Sequence, residues 1–300
     1  MPEWDGLLVL AAIGGMSMPI TVLSRKTGDI PVLEVFSEGL KEPGPLILLQ
    51  HGWTSRKEDM LPSARVLAEK GFFVVLPDAL GHGERKSGDY AAGGGAVDGL
   101  SETIRGLLQI CRETAAEFNL LIDYYSENPL VDKDRIGVAG ASMGGLIVFE
   151  FLFKHGSGLG SRLKAAVPLI STPCPDMLTG PEEVGRLNAH FHFFEGEPEA
   201  GEYDKAVALI KDYMRDNHYG ILDRVPLLML NGGQDPIFPE GVVKKAAELL
   251  CAGLEASRQP SLIVYPEAAH DVTARMNEEM ARWFLKWMPF SSHKSGQIQE

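Results

Sequence analysis

The sequence has few cysteines, and they are isolated from one another. Cys111, Cys174 and Cys251 are the three cysteines among 300 residues, and no two of them form a C-x-x-C pair. This spacing argues against a zinc site and against a disulfide framework. We therefore expect buried or idle thiols in a protein of the reducing cytoplasm.

Basic residues are also scarce relative to acidic ones. Lys and Arg total 28 against 41 Asp and Glu, which gives a formal net charge of −13 and a pI of about 5.1. The densest basic pair is Arg85-Lys86. Because nucleic-acid-binding proteins usually carry a basic stripe or a positive net charge, the composition excludes a nucleic-acid partner. It also predicts weak attraction to anionic membrane surfaces.

Long apolar runs are absent as well. The apolar stretch at residues 7–13 follows Glu3 and Asp5 and is interrupted at Gly14. A signal peptide needs a basic start, and a membrane span needs about 20 apolar residues. We interpret residues 1–17 as an N-terminal arm with no assigned element, and residues 290–300 as a polar tail.

The remaining residues, 18–289, alternate between short apolar runs and longer helical patterns. The apolar runs lie at residues 20–23, 32–36, 46–50, 72–76, 136–139, 165–170, 227–230 and 262–265. The helical patterns lie at residues 97–118, 146–154, 242–250 and 272–287. Such alternation predicts an α/β fold with a mostly parallel central sheet and helices on both faces. The runs do not alternate with polar residues, as expected for strands buried on both sides.

Two segments between the predicted elements are too long to be simple connections. Residues 79–133 contain the glycine run 93–95, and residues 171–223 are rich in aromatic side chains. Long excursions inside a compact domain usually have a function. We interpret residues 171–223 as a cap insertion over the functional site.

The clearest chemical signal is the sequence G-A-S-M-G-G at residues 140–145. It follows a predicted strand and precedes a helical run, which is the context of a G-x-S-x-G nucleophile elbow. Gly140 and Gly144 permit the tight turn that presents the Ser142 hydroxyl above the sheet edge. The Met143 N–H, at a helix N-terminus, points toward the same space. The competing interpretation is a glycine-rich turn whose serine has no role.

A serine hydroxyl needs a base to accept its proton, and the base needs a carboxylate to orient it. His270 follows the last predicted strand, at the same sheet edge as Ser142. Asp235 follows the preceding strand and is the predicted carboxylate. Its rivals are Asp223, which precedes that strand, and Asp271, which adjoins His270 but points away from it. The order Ser, Asp, His along the chain is that of α/β-hydrolase triads.

The negatively charged oxygen of an acyl-transfer intermediate needs two hydrogen-bond donors. The Met143 N–H is one predicted donor. The loop after residues 46–50 supplies the other, because Gly52 allows a close backbone approach and the Trp53 N–H then points inward. The alternative for Trp53 is a core aromatic. His51 is interpreted as a support of this loop, with a second base as the alternative.

With Ser142, Asp235 and His270 in this order, the chain resembles the α/β-hydrolase superfamily over residues 20–289. The segments H-G-W-T-S-R-K at residues 51–57 and L-P-D-A-L-G-H-G-E-R at residues 76–85 resemble a group of small bacterial serine carboxylesterases. That group is related to the dienelactone-hydrolase and prolyl-oligopeptidase-type hydrolases. In the superfamily the segment at residues 78–83 is structural, so His82 is expected to support its loop.

The resemblance implies Ser142, Asp235 and His270 as a catalytic triad, with Trp53 and Met143 as oxyanion donors. It implies no cofactor. Dienelactone hydrolases use a cysteine nucleophile, so the serine at the elbow departs from their pattern.

We therefore expect a serine carboxylesterase acting on small, short-chain acyl esters through an acyl-serine intermediate. A peptidase, thioesterase or lactonase using the same triad is the alternative. A non-catalytic binding protein of this fold would be expected to lose a triad member, and a dehalogenase would carry aspartate at the elbow. The expected partner is a small-molecule ester. No metal is expected, although His190 and His192 form an H-x-H pair in the cap.

Overall fold

The computed structural model describes residues 7–8, 19–40, 42–86, 99–173, 199–252 and 254–290. Several predicted features lie outside these residues. They are most of the arm at 1–17, the glycine run 93–95, residues 174–198 of the predicted cap with Cys174, His190 and His192, and the tail from residue 291 onward.

The described strands form one sheet of nine, in the order β1-β2-β3-β5-β4-β6-β7-β8-β9. Their bounds are β1 Leu7–Leu8, β2 Ile20–Thr27, β3 Ile30–Ser37, β4 Gly44–Gln50, β5 Phe73–Pro77, β6 Val131–Ala141, β7 Leu163–Leu169, β8 Leu228–Gly232 and β9 Ser261–Tyr265. The pairs β1–β2, β2–β3 and β3–β5 are antiparallel. All pairs from β5 through to β9 are parallel. The prediction of a mostly parallel sheet is confirmed.

Helices cover both faces of this sheet, as predicted. Those of the described residues are α1 Leu61–Glu69, α2 Leu100–Ser126, α3 Met143–Lys154, α4 Glu202–Met214, α5 Glu240–Cys251 and α6 Ala274–Trp287. One core cluster joins the sheet to α2, α3, α4 and α5, and a second joins its opposite face to α1 and α6. None of the described helices is both long and apolar enough to cross a membrane.

Two of these helices are absent from the sequence prediction. The first is α1, which is short and has a proline at its start. The second is α4, within the predicted cap, where Ala206, Ile210 and Tyr213 face the core at helical spacing. Its Glu202 carboxylate accepts a hydrogen bond from the Ser101 N–H of α2 at 3.0 Å. This end of the cap segment is therefore fixed to α2, while the role of residues 171–223 as a cap stays a prediction.

The last helix and the start of the predicted tail also differ in detail. Helix α6 begins at Ala274 and not at residue 272, because Thr273 caps it by accepting the Met276 N–H at 3.2 Å. The sequence assigns Phe290 to the tail, yet its ring lies 5.6 Å from that of Phe72. The packed part of the chain therefore extends at least to Phe290.

The sheet direction determines where chemistry can be assembled. Because β4, β5, β6, β8 and β9 run parallel, their carboxyl ends lie at one edge. The loops that begin at His51, Asp78, Ser142, Gly233 and Pro266 therefore converge there. In open α/β sheets this edge is where ligands bind.

Candidate active site

Ser142 occupies a strained turn between β6 and α3. Its φ of 56° lies in the left-handed region, which a non-glycine residue adopts rarely and usually at a functional site. A side chain at Gly140 would collide with the backbone of Gly144, and one at Gly144 would collide with the Gln50 carbonyl. The Ser142 N–H donates to the Leu169 carbonyl of β7 at 2.9 Å, which holds the turn against the sheet. The predicted strand–turn–helix geometry is present.

The Ser142 side chain lies in line with the imidazole of His270 and the carboxylate of Asp235. The Ser142 Oγ is 2.9 Å from His270 Nε2, and His270 Nδ1 is 2.8 Å from Asp235 Oδ2. Since a carboxylate can only accept, Nδ1 carries the proton, and Nε2 is the atom that accepts the serine proton. Ser142 is only 9% exposed, which is less than the exposed hydroxyl expected from the sequence.

Asp235 is held in place by contacts other than the one to His270. Its Oδ1 accepts the N–H groups of Ile237 and Phe238 at 2.8 and 2.9 Å, so Oδ2 alone faces His270. The carboxylate is buried at 3% exposure. The Phe238 ring lies 5.6 Å from the imidazole and limits its movement. The orienting role of the Ile237 and Phe238 N–H groups goes beyond the sequence analysis.

The two rival carboxylates lie elsewhere. Asp223 ends a 3₁₀ turn, Tyr219–Asp223, ahead of β8, and therefore at the opposite edge of the sheet from Ser142. Asp271 follows His270 directly but is exposed. His270 Nδ1 donates its hydrogen bond to Asp235 and to neither of these rivals.

The two predicted oxyanion donors flank the serine. Met143 is the first residue of α3, where backbone N–H groups have no partner within the helix. Gly52 lies against the elbow, since a Cβ placed on it would be 3.4 Å from Ser142 Cβ and 4.0 Å from Ser142 Oγ. Trp53 follows at once, half-buried, with its ring packed against the core. The ring therefore behaves as the core aromatic of the alternative interpretation, while the backbone of the same loop adjoins the serine.

His51 is part of the loop support and not a second base near the serine. Its Nδ1 donates to the Gly52 carbonyl at 2.8 Å, and its Nε2 accepts the Ala79 N–H at 3.0 Å. Both nitrogens are thus engaged, which requires a neutral ring. Burial lowers the pKa of His51 from 6.5 to about 4. In the neighbouring loop, the Nδ1 of the buried His82 donates to the Leu80 carbonyl at 2.8 Å, and burial lowers the pKa of His82 as well.

The lowered pKa of His51 predicts a specific acid sensitivity of the fold. Between pH 6.5 and about 4, His51 binds a proton in the unfolded chain but stays neutral in the folded chain. The free energy of unfolding therefore falls as the pH falls through this window. Over the whole window the free energy of unfolding falls by about 3 kcal/mol because of this one residue. We expect the free energy of unfolding, measured with urea, to fall less steeply between about pH 7 and pH 4.5 in His51→Gln than in the wild type. The control variant His218→Gln, at an exposed position, should show the same pH dependence as the wild type. Parallel curves for wild type and His51→Gln would contradict this assignment.

One buried network at this edge has no counterpart in the sequence analysis. Lys57 and Asp78, 1% and 0% exposed, form an ion pair of 2.8 Å between the loops after β4 and β5. The sequence shows both residues, but contains no local pattern that pairs positions so far apart. Within the described residues, no cluster of three or more His, Cys, Asp or Glu side chains could hold a metal ion.

Comparisons with known proteins identify the family of this chain. The sequence pattern of the Alpha/beta hydrolase family matches residues 46–283. The chain is 29% identical over 233 residues to Esterase YjfP of Escherichia coli (strain K12), covering 73% of this chain and 80% of that one. It is 34% identical over 155 residues to YitV of Bacillus subtilis (strain 168), a match that spans 51% of this chain and only 55% of the relative.

Among solved structures, TT1662 from Thermus thermophilus superposes with a TM-score of 0.66. The superposition covers 91% of this chain and all of that one, at 20% sequence identity. At this level of identity the likeness concerns the fold alone.

Proposed function

Because the chain belongs to the alpha/beta hydrolase family, we propose that it is a serine hydrolase that cleaves carboxylic esters with short acyl groups. The observation that carries this proposal is the continuous line of hydrogen bonds from Ser142 Oγ through His270 to Asp235. Similarity to an esterase over 73% of the chain supports an ester-cleaving, carboxylesterase-like enzyme. The serine mechanism and the acyl preference go beyond that similarity and rest on the site.

The proposed reaction proceeds by two acyl transfers. Ser142 Oγ attacks the ester carbonyl carbon while its proton passes to His270 Nε2, and the carbonyl oxygen becomes an oxyanion. The N–H groups of Met143 and Trp53 are the proposed donors to this oxyanion. Collapse of the intermediate breaks the ester bond, and His270 returns the proton to the departing alcohol. Water then attacks the acyl carbon of the acyl-serine while its proton passes to His270 Nε2. The bond between this carbon and Ser142 Oγ breaks, His270 returns the proton to Ser142 Oγ, and the carboxylic acid leaves.

Asp235 contributes by orientation and charge. It keeps the His270 proton on Nδ1, so that Nε2 faces the serine as an acceptor, and it stabilises the imidazolium formed during each transfer. The two backbone N–H groups on its other oxygen prevent the carboxylate from rotating away. Each step therefore uses side chains and backbone groups of this chain.

The preference for short acyl groups is argued from the space beside the serine. Trp53 is half-buried and directly follows Gly52, which adjoins Ser142, so we propose that its bulk restricts the room left for the acyl group. Each methylene adds about 0.8 kcal/mol of binding only while the site can bury it. With p-nitrophenyl esters we expect kcat/KM to rise from acetate to about butyrate or hexanoate and then to fall.

The same panel separates the ester proposal from its alternative. Matched p-nitroanilides, thioesters and lactones carry the acyl group on a nitrogen, a sulfur or a ring oxygen, which tests for a peptidase, a thioesterase or a lactonase. We expect the linear ester to be the best substrate at each chain length. Faster anilide hydrolysis would replace the esterase proposal with a peptidase. A profile still rising at about twelve carbons would contradict the role given to Trp53.

A further inference from the structure

A buried carboxylate links the backbones of the loops that follow β4 and β5. Asp78 Oδ1 accepts the Lys57 N–H at 2.9 Å, and its Oδ2 accepts the Lys57 ammonium at 2.8 Å. The same Oδ2 accepts the Glu84 N–H at 3.0 Å. The ammonium also reaches the Glu84 carboxylate at 2.6 Å. Asp78 thus ties the backbone of one loop at Lys57 to the backbone of the other at Glu84.

A buried ion pair such as that of Lys57 and Asp78 adds little to the stability of a fold. Burying two charges costs so much solvation that an apolar pair of similar size is often equally stable or more so. Burial alone would lower the pKa of Lys57 and raise that of Asp78, but their mutual hydrogen bonds reverse both directions, so both groups stay charged. The pair therefore supplies fixed, directional contacts that apolar side chains cannot supply.

The contacts act on the loop that carries Trp53. This loop starts at Gly52, against Ser142, and its far end is anchored where Lys57 binds Asp78. Between them Thr54 has a φ of 59°, a conformation that persists only where the surroundings enforce it. The Trp53 ring packs edge-on against His82 at 5.4 Å, and His82 belongs to the second loop held by Asp78.

We propose that Lys57 and Asp78 are positioning residues that hold the Trp53 N–H at the oxyanion position beside Ser142. This inference rests on the proposed serine hydrolase function. A donor that is displaced stabilises the transition state less than one held in place, and removing an oxyanion donor costs about 10²–10³ in kcat. A loosened loop should therefore cost less than that, but should act on kcat more than on substrate binding.

The test is the double variant Lys57→Met with Asp78→Asn, which leaves no unpaired buried charge. We expect kcat for p-nitrophenyl butyrate to fall about 10- to 100-fold, with KM changed less than about threefold. Lys57→Arg keeps a cation beside both carboxylates, and should retain more of the wild-type kcat than the double variant does.

A matched control lies away from both loops. The buried Tyr125 hydroxyl donates to Glu34 at 2.9 Å, so Tyr125→Phe also removes a buried polar contact. It should lower the melting temperature and leave kcat and KM unchanged. If the folded double variant keeps wild-type kcat, or changes only KM, the positioning role is wrong. If the wild-type protein is not acylated at Ser142, the proposed serine hydrolase function is wrong, and this result does not depend on any variant of Lys57.

Discussion

Replacing Ser142 by alanine is expected to lower kcat for a p-nitrophenyl ester by roughly 10⁵-fold, because the acyl-enzyme can no longer form at this position. The residual rate would come from the oxyanion donors and substrate binding. His270 Nε2 would lose its hydrogen-bonding partner at 2.9 Å, but the bond that holds the elbow to Leu169 uses the Ser142 backbone N–H. The melting temperature should therefore stay close to that of the wild type.

A matched control is Ser126→Ala at the end of α2, where the serine hydroxyl donates to the Ile122 carbonyl. It removes a serine hydroxyl far from the triad and should leave turnover intact. Turnover by Ser142→Ala within about tenfold of the wild type, in purified and folded protein, would show that the hydrolysis does not proceed through this residue.

Replacing Asp235 by asparagine is expected to lower kcat by about 10⁴-fold, as a reversed histidine tautomer does in the well-studied serine proteases. The asparagine Oδ1 can still accept the N–H groups of Ile237 and Phe238. Its amide N–H₂ would then face His270 Nδ1, which must become the acceptor. The ring proton moves to Nε2, where it blocks acceptance of the Ser142 proton.

Asp223→Asn is the control, since Asp223 precedes β8 at the opposite sheet edge. It should keep wild-type kcat. If Asp223→Asn lost its activity while Asp235→Asn kept a kcat near that of the wild type, the carboxylate that orients His270 would be assigned to the wrong residue.

The elbow and the line of contacts from Ser142 through His270 to Asp235 could be predicted because their signals are local or follow from topology. The glycines around Ser142 constrain one tight turn, and the parallel strand pattern brings the residues after β8 and β9 to the same edge. Asp235 is separable from Asp223 by this reasoning alone, since one follows the strand and the other precedes it. The prediction needs no knowledge of side-chain packing.

The Lys57–Asp78 pair lies beyond such reasoning for a physical reason, and helix α4 is absent from the sequence prediction. Lys57 and Asp78 lie on different loops, and each looks like an ordinary surface charge until the fold brings the two together. In α4 the buried Ala206, Ile210 and Tyr213 do recur at helical spacing, a pattern that the sequence analysis did not use. Its packing on α2 depends on tertiary contact, which a single sequence does not encode as a pattern.

The central claim is that Ser142 is the nucleophile, and covalent labelling tests it most directly. Purified protein is treated with a fluorophosphonate, digested, and mapped by mass spectrometry, with loss of esterase activity followed in parallel. The account predicts one adduct per chain, on the peptide containing Ser142, appearing at the rate at which activity is lost and absent from Ser142→Ala. An adduct on Ser55 or Ser171, or complete loss of activity with Ser142 unmodified, would contradict it.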